Sequence, residues 1–356
     1  MNRRLRALVG FAVAIGVVAA LVSVSGWEMV FANVARADPT VLAGAVVAGA
    51  ATLALRGLVV YRLLGPVDGS ARGAPFAGAF LAGYFTRSVV PWGRAVGAPV
   101  TAYLLAGSSE SRFEDNLAVV TAAEVLVFLA SVTVAIVGLV LLSADAAWVG
   151  SAAGTVPIAG VPGSLLTGLV AATVAAVLVV VALFSIVRGG PVGTALFALA
   201  DRVEAAVALL PRATIERGTV RARLTGFVGT LEGVATDRRI LASAAAIALA
   251  SWFVNVIPLS LALLALGVQV PLAVVLLAAP MAALGGIVPL PGGTGGIEVA
   301  LAGLLVATTA LTGDVATTAA LLFRLSTYWV HVAIGGLGVL YVSTVGLGTV
   351  RAGDRD

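Results

Sequence analysis

Gly285-Gly286-Ile287-Val288-Pro289-Leu290-Pro291-Gly292-Gly293-Thr294-Gly295-Gly296-Ile297-Glu298 interrupts a chain that is otherwise oily. Two prolines, six glycines and one carboxylate fall within this stretch. A continuous helix tolerates neither the missing amide and ring clash of Pro291 nor the glycines that crowd the next five positions. In a bilayer, backbone groups freed by such a break cannot face lipid, so they line a protein-enclosed cavity or hold a ligand. A carboxylate at the start of the following helix marks the place as a candidate functional site.

The rest of the composition sets that break in a membrane. The 356 residues are 60% hydrophobic and only 11% charged, with a mean hydropathy of +1.11. Soluble domains carry about 25% charged residues, so an integral membrane protein is the reading. The absence of cysteine removes disulfides, thiolate nucleophiles and cysteine-held metals. The lone His331 leaves no zinc motif and no Ser-His-Asp set. No metal and no cofactor is expected. The net charge of +4 consists entirely of arginine on the basic side and is read as topology, with no nucleic-acid partner. Residues 1–6 are basic and precede a long apolar run, as in a secretory signal. No small-residue cleavage site follows cleanly before Trp27, so an uncleaved first span is expected.

Full spans need about 20 residues, and they are read at 5–25, 41–61, 117–142, 164–187, 240–266 and 316–345. Two further hydrophobic regions, 76–106 and 271–311, are interrupted, the first at 90–99 and the second at the glycine-rich stretch. The pieces beside each break are shorter than a comfortable span and read as paired half-helices, re-entrant or discontinuous. Arginines concentrate at the N-terminus and over 188–239, which places both on the cytoplasmic side. The loops at 27–39 and 143–163 then fall outside. The first break enters from the cytoplasmic side and the second from the outer side, the pattern of an inverted repeat with its site near the midplane. The expected architecture is an all-α polytopic bundle of six full spans plus two broken pairs.

The whole of 1–356 forms one transmembrane domain on this reading. A first half (1–116) is followed by two connecting spans (117–187) and a cytoplasmic amphipathic linker (188–239). A second half (240–345) and a cytoplasmic tail (346–356) complete it. Within the linker, Val220, Leu224, Phe227, Leu231 and Val234 recur at helical spacing. Two readings are open for that helix, packing under the bundle or lying on anionic lipid.

Six ionisable residues lie in or beside apolar segments: Arg56, Arg87, Arg94, Glu124, Glu298 and Arg324. A charge at the bilayer centre costs about 2.5–3.5 kcal/mol on insertion scales, so each needs a partner, a cavity or a route to the interface. Arg56 sits late enough in its span to snorkel. Glu124 reads either as a structural ion-pair partner or as a ligand, and Arg324 as a functional group or the partner of Glu298. Arg324, Tyr328, His331 and Gly335 share one helical stripe, as do Thr121, Glu124, Phe128 and Ser131. Asn255 adds a polar point three residues before Pro258, and His331 reads first as a hydrogen-bonded bundle residue. A helix starting near Gly296 would offer free amides and a positive dipole end to a phosphate or carboxylate. Four arginines against two glutamates favour an anionic ligand. The competing structural reading of the glycines is a close helix crossing.

Pro291-Gly292-Gly293-Thr294-Gly295-Gly296-Ile297-Glu298 resembles the second signature of the flippase-like membrane family that includes the transmembrane region of lysylphosphatidylglycerol synthases. Gly83-Tyr84 through Pro91-Trp92-Gly93-Arg94-Ala95-Val96-Gly97, then Pro99 to Tyr103, is similar to its first signature. Leu322-Phe323-Arg324-Leu325 with Tyr328-Trp329 is similar to its last-helix pattern. The resemblance covers nearly the whole chain and implies movement of lipids or lipid-linked head groups between leaflets. Members commonly carry a glutamate where this chain has Ala98, which leaves Arg87 and Arg94 less compensated and argues against a symmetric two-glutamate site. The soluble aminoacyl-transferase domain of the lysyl-lipid synthases has no counterpart, so no enzyme activity is expected of this chain.

The expected function is therefore translocation of anionic membrane lipids by a multi-pass protein of the cell membrane with both termini cytoplasmic. Arg94 and Arg324 would contact phosphate and Glu298 would tune them. Pro91, Gly93, Gly97, Pro291, Gly292, Gly293, Gly295 and Gly296 shape the two breaks around a substrate-binding set that also holds Arg87 and Tyr328. Glu124, Asn255 and His331 would serve coupling or ion pairing. Two other readings stand beside this one: an ion-coupled transporter of a small anion, and a non-transporting partner of a separate lipid-modifying enzyme.

Overall fold

Five helices are long and apolar enough to cross a bilayer: Pro39–Leu63, Phe113–Ser143, Leu166–Val187, Arg238–Ala265 and Gly313–Val345. They come from a computed structural model that describes residues 15–148, 163–208, 218–287 and 290–346. Among the described residues there is no strand. The protein is an all-α membrane protein.

Of the first expected span, α1 (Ile15–Val24) is helical and the residues before it lie outside the described set. Gly26, with φ 87°, turns the chain by 94° into α2 (Trp27–Arg36). The sequence reading of 27–39 as a loop is corrected here. Gly26 and Pro39 bracket ten residues that wind into one short helix, with Val30 buried and Trp27, Met29 and Phe31 exposed. Asn33 Nδ2 donates to Asp314 Oδ2 at 2.9 Å, and the Ser25 and Thr317 hydroxyls lie 2.7 Å apart, which ties α2 to the last span.

Helices α3 (Pro39–Leu63) and α10 (Arg238–Ala265) form the antiparallel spine. The Asp38 amide donates to the Ala265 carbonyl at 3.0 Å at one end, and Arg62 Nε to Ser243 Oγ at 2.8 Å at the other. Small buried residues, Ala45 and Thr52 on α3 with Ala244, Ala248 and Ser251 on α10, allow the backbones to approach closely.

Both broken regions fold as helical hairpins. In the first, α4 (Gly73–Val89) and α5 (Gly93–Gly107) pack antiparallel. A Cβ at Gly83 would run into Thr101, and one at Gly97 would lie 2.8 Å from Arg87 Cβ. The Glu110 amide donates to the Gly69 carbonyl at 3.0 Å and closes the mouth. At the tip Trp92 holds φ 65°, a left-handed conformation uncommon for so bulky a residue. In the second, α11 (Leu272–Ala283) continues through a tight turn at Leu284–Ile287, and a second turn at Pro291–Gly293 precedes α12 (Gly296–Thr308). Gly292, Gly293 and Gly295 all have positive φ, which explains why glycine occupies these positions. Gly285 sits against the Gly296 carbonyl, so the hairpin folds back on itself.

The first hairpin leaves the spine at the Leu63 end, where Arg72 Nη2 bonds the Leu64 carbonyl at 2.8 Å. The second begins just beyond Ala265, at the opposite end of the spine. Their tips meet inside the bundle, with the Pro291–Gly293 turn resting on α4 and α5.

Helix α13 (Gly313–Arg324) passes through a π-helical turn, Leu325–Trp329, into α14 (Val330–Val345). Gly49 of α3 lies against the Ser326 carbonyl of that turn, and Gly335 and Gly338 of α14 lie against Leu81 and Phe85 of α4. Helices α6 (Phe113–Trp148) and α7 (Gly163–Val187) flank the hairpins. Val170, Val174, Val177, Leu178 and Val181 on α7 are exposed, an apolar face suited to lipid chains. The arginine-rich linker contains α8 (Pro191–Ala208) and α9 (Thr219–Thr236). Leu231 and Val234 of the α9 stripe are buried, and Thr230 Oγ1 donates to Asp115 Oδ1 of α6 at 2.6 Å. The linker helix thus packs on the bundle.

Candidate binding cavity between the hairpin tips

Where the tips meet, a cavity of about 120 Å³ is lined by residues of seven helices and two turns, among them Arg56, Arg87, Ser88, Asn255, Gly292, Arg324, Tyr328 and His331. A second cavity of about 190 Å³ adjoins it towards α5 and α6, lined by Thr101, Glu124, Phe128 and Ser131. Arg56, Tyr84, Arg87 and Trp252 line both. Among the described side chains at these cavities, charge comes as two ion pairs and one further arginine.

The first pair belongs to the glycine-rich hairpin. Arg324 Nε donates to Glu298 Oε1 at 2.9 Å and Nη2 to the Gly292 carbonyl at 2.9 Å. The other carboxylate oxygen, Oε2, accepts the Gly295 amide at 2.7 Å, and both side chains are buried. Breaking a buried pair costs far more than an exposed one, because the surviving charge has no water to turn to. One carboxylate thus joins the start of α12 to a guanidinium that holds the hairpin tip. Just ahead of the helix start, Glu298 reaches back to the Gly295 amide, so the carboxylate itself satisfies the donor that precedes α12. The Arg324 guanidinium also lies 4.4 Å from the Tyr328 ring centre.

The second pair belongs to the other hairpin, where Arg87 of α4 binds Glu124 of α6. The sequence reading left Arg87 poorly compensated because Ala98 replaces a glutamate. That expectation is corrected: α6 supplies the missing carboxylate from a different element. Arg87 also lies over the Tyr84 ring at 5.3 Å.

Arg56 does not snorkel. It turns inward, donating from Nη1 to Tyr84 Oη at 2.8 Å, with its guanidinium carbon 5.6 Å from the Trp252 ring centre. A phenol oxygen and an aromatic face within reach give the guanidinium partners inside the bundle, and these outweigh the route to the interface.

His331 Nε2 lies 2.8 Å from the Gly49 carbonyl. A carbonyl only accepts, so this nitrogen carries the proton. Tyr328 Oη donates to the Ser88 carbonyl at 3.2 Å and bridges the π turn to the first hairpin. Asn255 is buried in the wall. Among the expected substrate-binding residues, Gly292 alone of the tip glycines lines the cavity. Pro291 and Gly293 are buried in their turn, and Gly295 and Gly296 start α12. Gly93 and Gly97 are packing positions against Arg87, and Pro91 lies in the first tip. Arg94 stands in the first turn of α5, and its side chain lies outside the described residues. Tyr84, Ser88, Trp252 and Thr327 line the cavity without having been singled out as ligands. Phe76, Phe80, Tyr84 and Ser88 recur every four residues on α4, a stripe that could have revealed two of them. Among the described residues no group of His, Asp and Glu is placed to hold a metal ion.

The fold and cavity define a multi-pass helical membrane protein with two helical hairpins that meet at a charged centre. Residues 7–335 match the family described as the lysylphosphatidylglycerol synthase TM region, and the chain belongs to that family. Comparison with curated proteins and with solved structures gives no match.

Proposed function

We propose that this protein moves anionic lipids, or lipid-linked anionic head groups, between the leaflets of the cell membrane, with its arginine-rich ends on the cytoplasmic side. The observation that carries the reading is the convergence of Arg56, Arg87 and Arg324 with only two carboxylates between the tips of two hairpins that enter from opposite ends. Opposed broken helices around a central site are the design of alternating-access transporters. Each hairpin contributes one partner of an arginine–glutamate pair, Arg87 in the first and Glu298 in the second, and an incoming phosphate can exchange with the pair, so opening on one side need not expose bare charge. Family membership supports a role with lipids. The function is transport, with no catalytic step.

Reconstitution into vesicles tests this. Labelled phosphatidylglycerol is expected to exchange between leaflets faster than in protein-free vesicles, and Glu298→Gln and Arg324→Ala to slow that exchange by about tenfold or more. Variant rates equal to wild type would remove the assigned roles. Gradient-dependent uptake of a small anion without lipid exchange would favour an ion-coupled transporter. An inert protein that co-purifies with a lipid-modifying enzyme would favour a partner role.

A further inference from the structure

We infer that Arg56 is the residue that holds the substrate's phosphate, and that the site takes a phosphate group bearing a single negative charge. The inference rests on the anionic-substrate reading above and names its anchor. Of the three arginines at the cavities, two are spoken for. Arg324 spends Nε and Nη2 on Glu298 and Gly292, and Arg87 is paired with Glu124. Among the described residues Arg56 has no carboxylate partner, its hydrogen bond goes to the Tyr84 hydroxyl, and its Nε is buried without a partner. A guanidinium carries five N–H donors, and a buried donor left unmade is costly. An oxyanion in the cavity would satisfy it.

The charge count gives the same answer. Three arginines against Glu124, in the cavity wall, and Glu298, which reaches the site only through Arg324, leave one excess positive charge among the described side chains. One negative charge on the ligand neutralises the site, whereas a second would be buried without a partner. Arg56 also lies in the wall that both cavities share. On the far side of Phe80, an apolar groove of about 450 Å³ runs past Leu53, Gly57, Tyr61 and Phe76. Phe80 lines both that groove and the second cavity, so a tail in the groove would have its head group near Arg56.

Calorimetric titration of the detergent-solubilised full chain separates the possibilities. The probes are dihexanoyl phosphatidylglycerol, the free diester glycerophosphoglycerol, and dihexanoylglycerol, which lacks phosphate. The phosphatidylglycerol is expected to bind, Arg56→Gln to weaken it by about tenfold or more, and Arg56→Lys to recover part of the loss. Equal affinity in wild type and Arg56→Gln overturns the assignment. So does wild-type binding of dihexanoylglycerol as strong as that of phosphatidylglycerol, a result independent of whether any variant folds. Binding of the free diester as tight as the lipid keeps Arg56 as anchor and makes the source a small anion. Binding that depends on Arg56, with no leaflet exchange in vesicles, would defeat translocation while leaving the anchor in place.

Discussion

Glu298 connects three things with one carboxylate: the Gly295 amide just before α12, the guanidinium of Arg324 and, through that guanidinium, the carbonyl of Gly292. Replacing it by glutamine leaves Arg324 buried without a counter-charge. The expected cost is about 3–5 kcal/mol, seen as a lowered thermal unfolding midpoint in detergent. The double variant Glu298→Gln/Arg324→Gln should regain part of this, because it removes the stranded charge. Additive losses would mean the two side chains do not depend on each other. The Arg324–Glu298 pair was readable in the sequence, since a carboxylate at a helix start and an arginine within a span each need a partner. Arg56 was not readable. Its distance from the helix end is the same whether it points to the interface or inward, and the packing of α3 against α10 fixes its rotation. The partner of Arg87 was hidden for a related reason, because Glu124 lies on another element and only the fold brings it near.

At the scale of elements, glycine sets how closely helices approach. Gly49 faces the Ser326 carbonyl of the π turn with no room for a Cβ, so Gly49→Val must push α3 away from the last span. Overpacking of this kind costs about 1–3 kcal/mol or more. The expected result is loss of thermal stability and of monodisperse protein. Gly303 on α12 has open space where its Cβ would stand, so Gly303→Ala should match wild type or gain up to about 1 kcal/mol. A Gly49→Val protein as stable as Gly303→Ala would contradict the close contact. Both hairpins were legible as broken pairs because proline and glycine punctuate them. That they fold back on themselves was not, since half-helix length suits either form. The π turn left no signal at all. One extra residue in a turn rotates the remainder of the helix by about 100°. Arg324, Tyr328 and His331 line the cavity, whereas Gly335, assigned to the same stripe by α-helical spacing, packs on Phe85.

For the whole molecule, the proposed transport depends on two hairpins that reach one charged cavity from opposite ends of the α3–α10 spine. Hydropathy located the two broken regions, whereas the closing contacts at Gly69, Leu64 and Ala265 needed the folded chain. The natural absence of cysteine makes a direct test clean. Asp68 stands at the mouth of the first hairpin and Gln269 leads into the second, and both are exposed. Asp68→Cys and Gln269→Cys, each a single-cysteine protein in sealed, uniformly oriented vesicles, are treated with a membrane-impermeant thiol reagent. Opposed hairpins predict that only Gln269→Cys reacts from the outer face, and that Asp68→Cys reacts only from the cytoplasmic side. Labelling of both from the same face would contradict opposed hairpins and, with them, alternating access to the cavity between their tips.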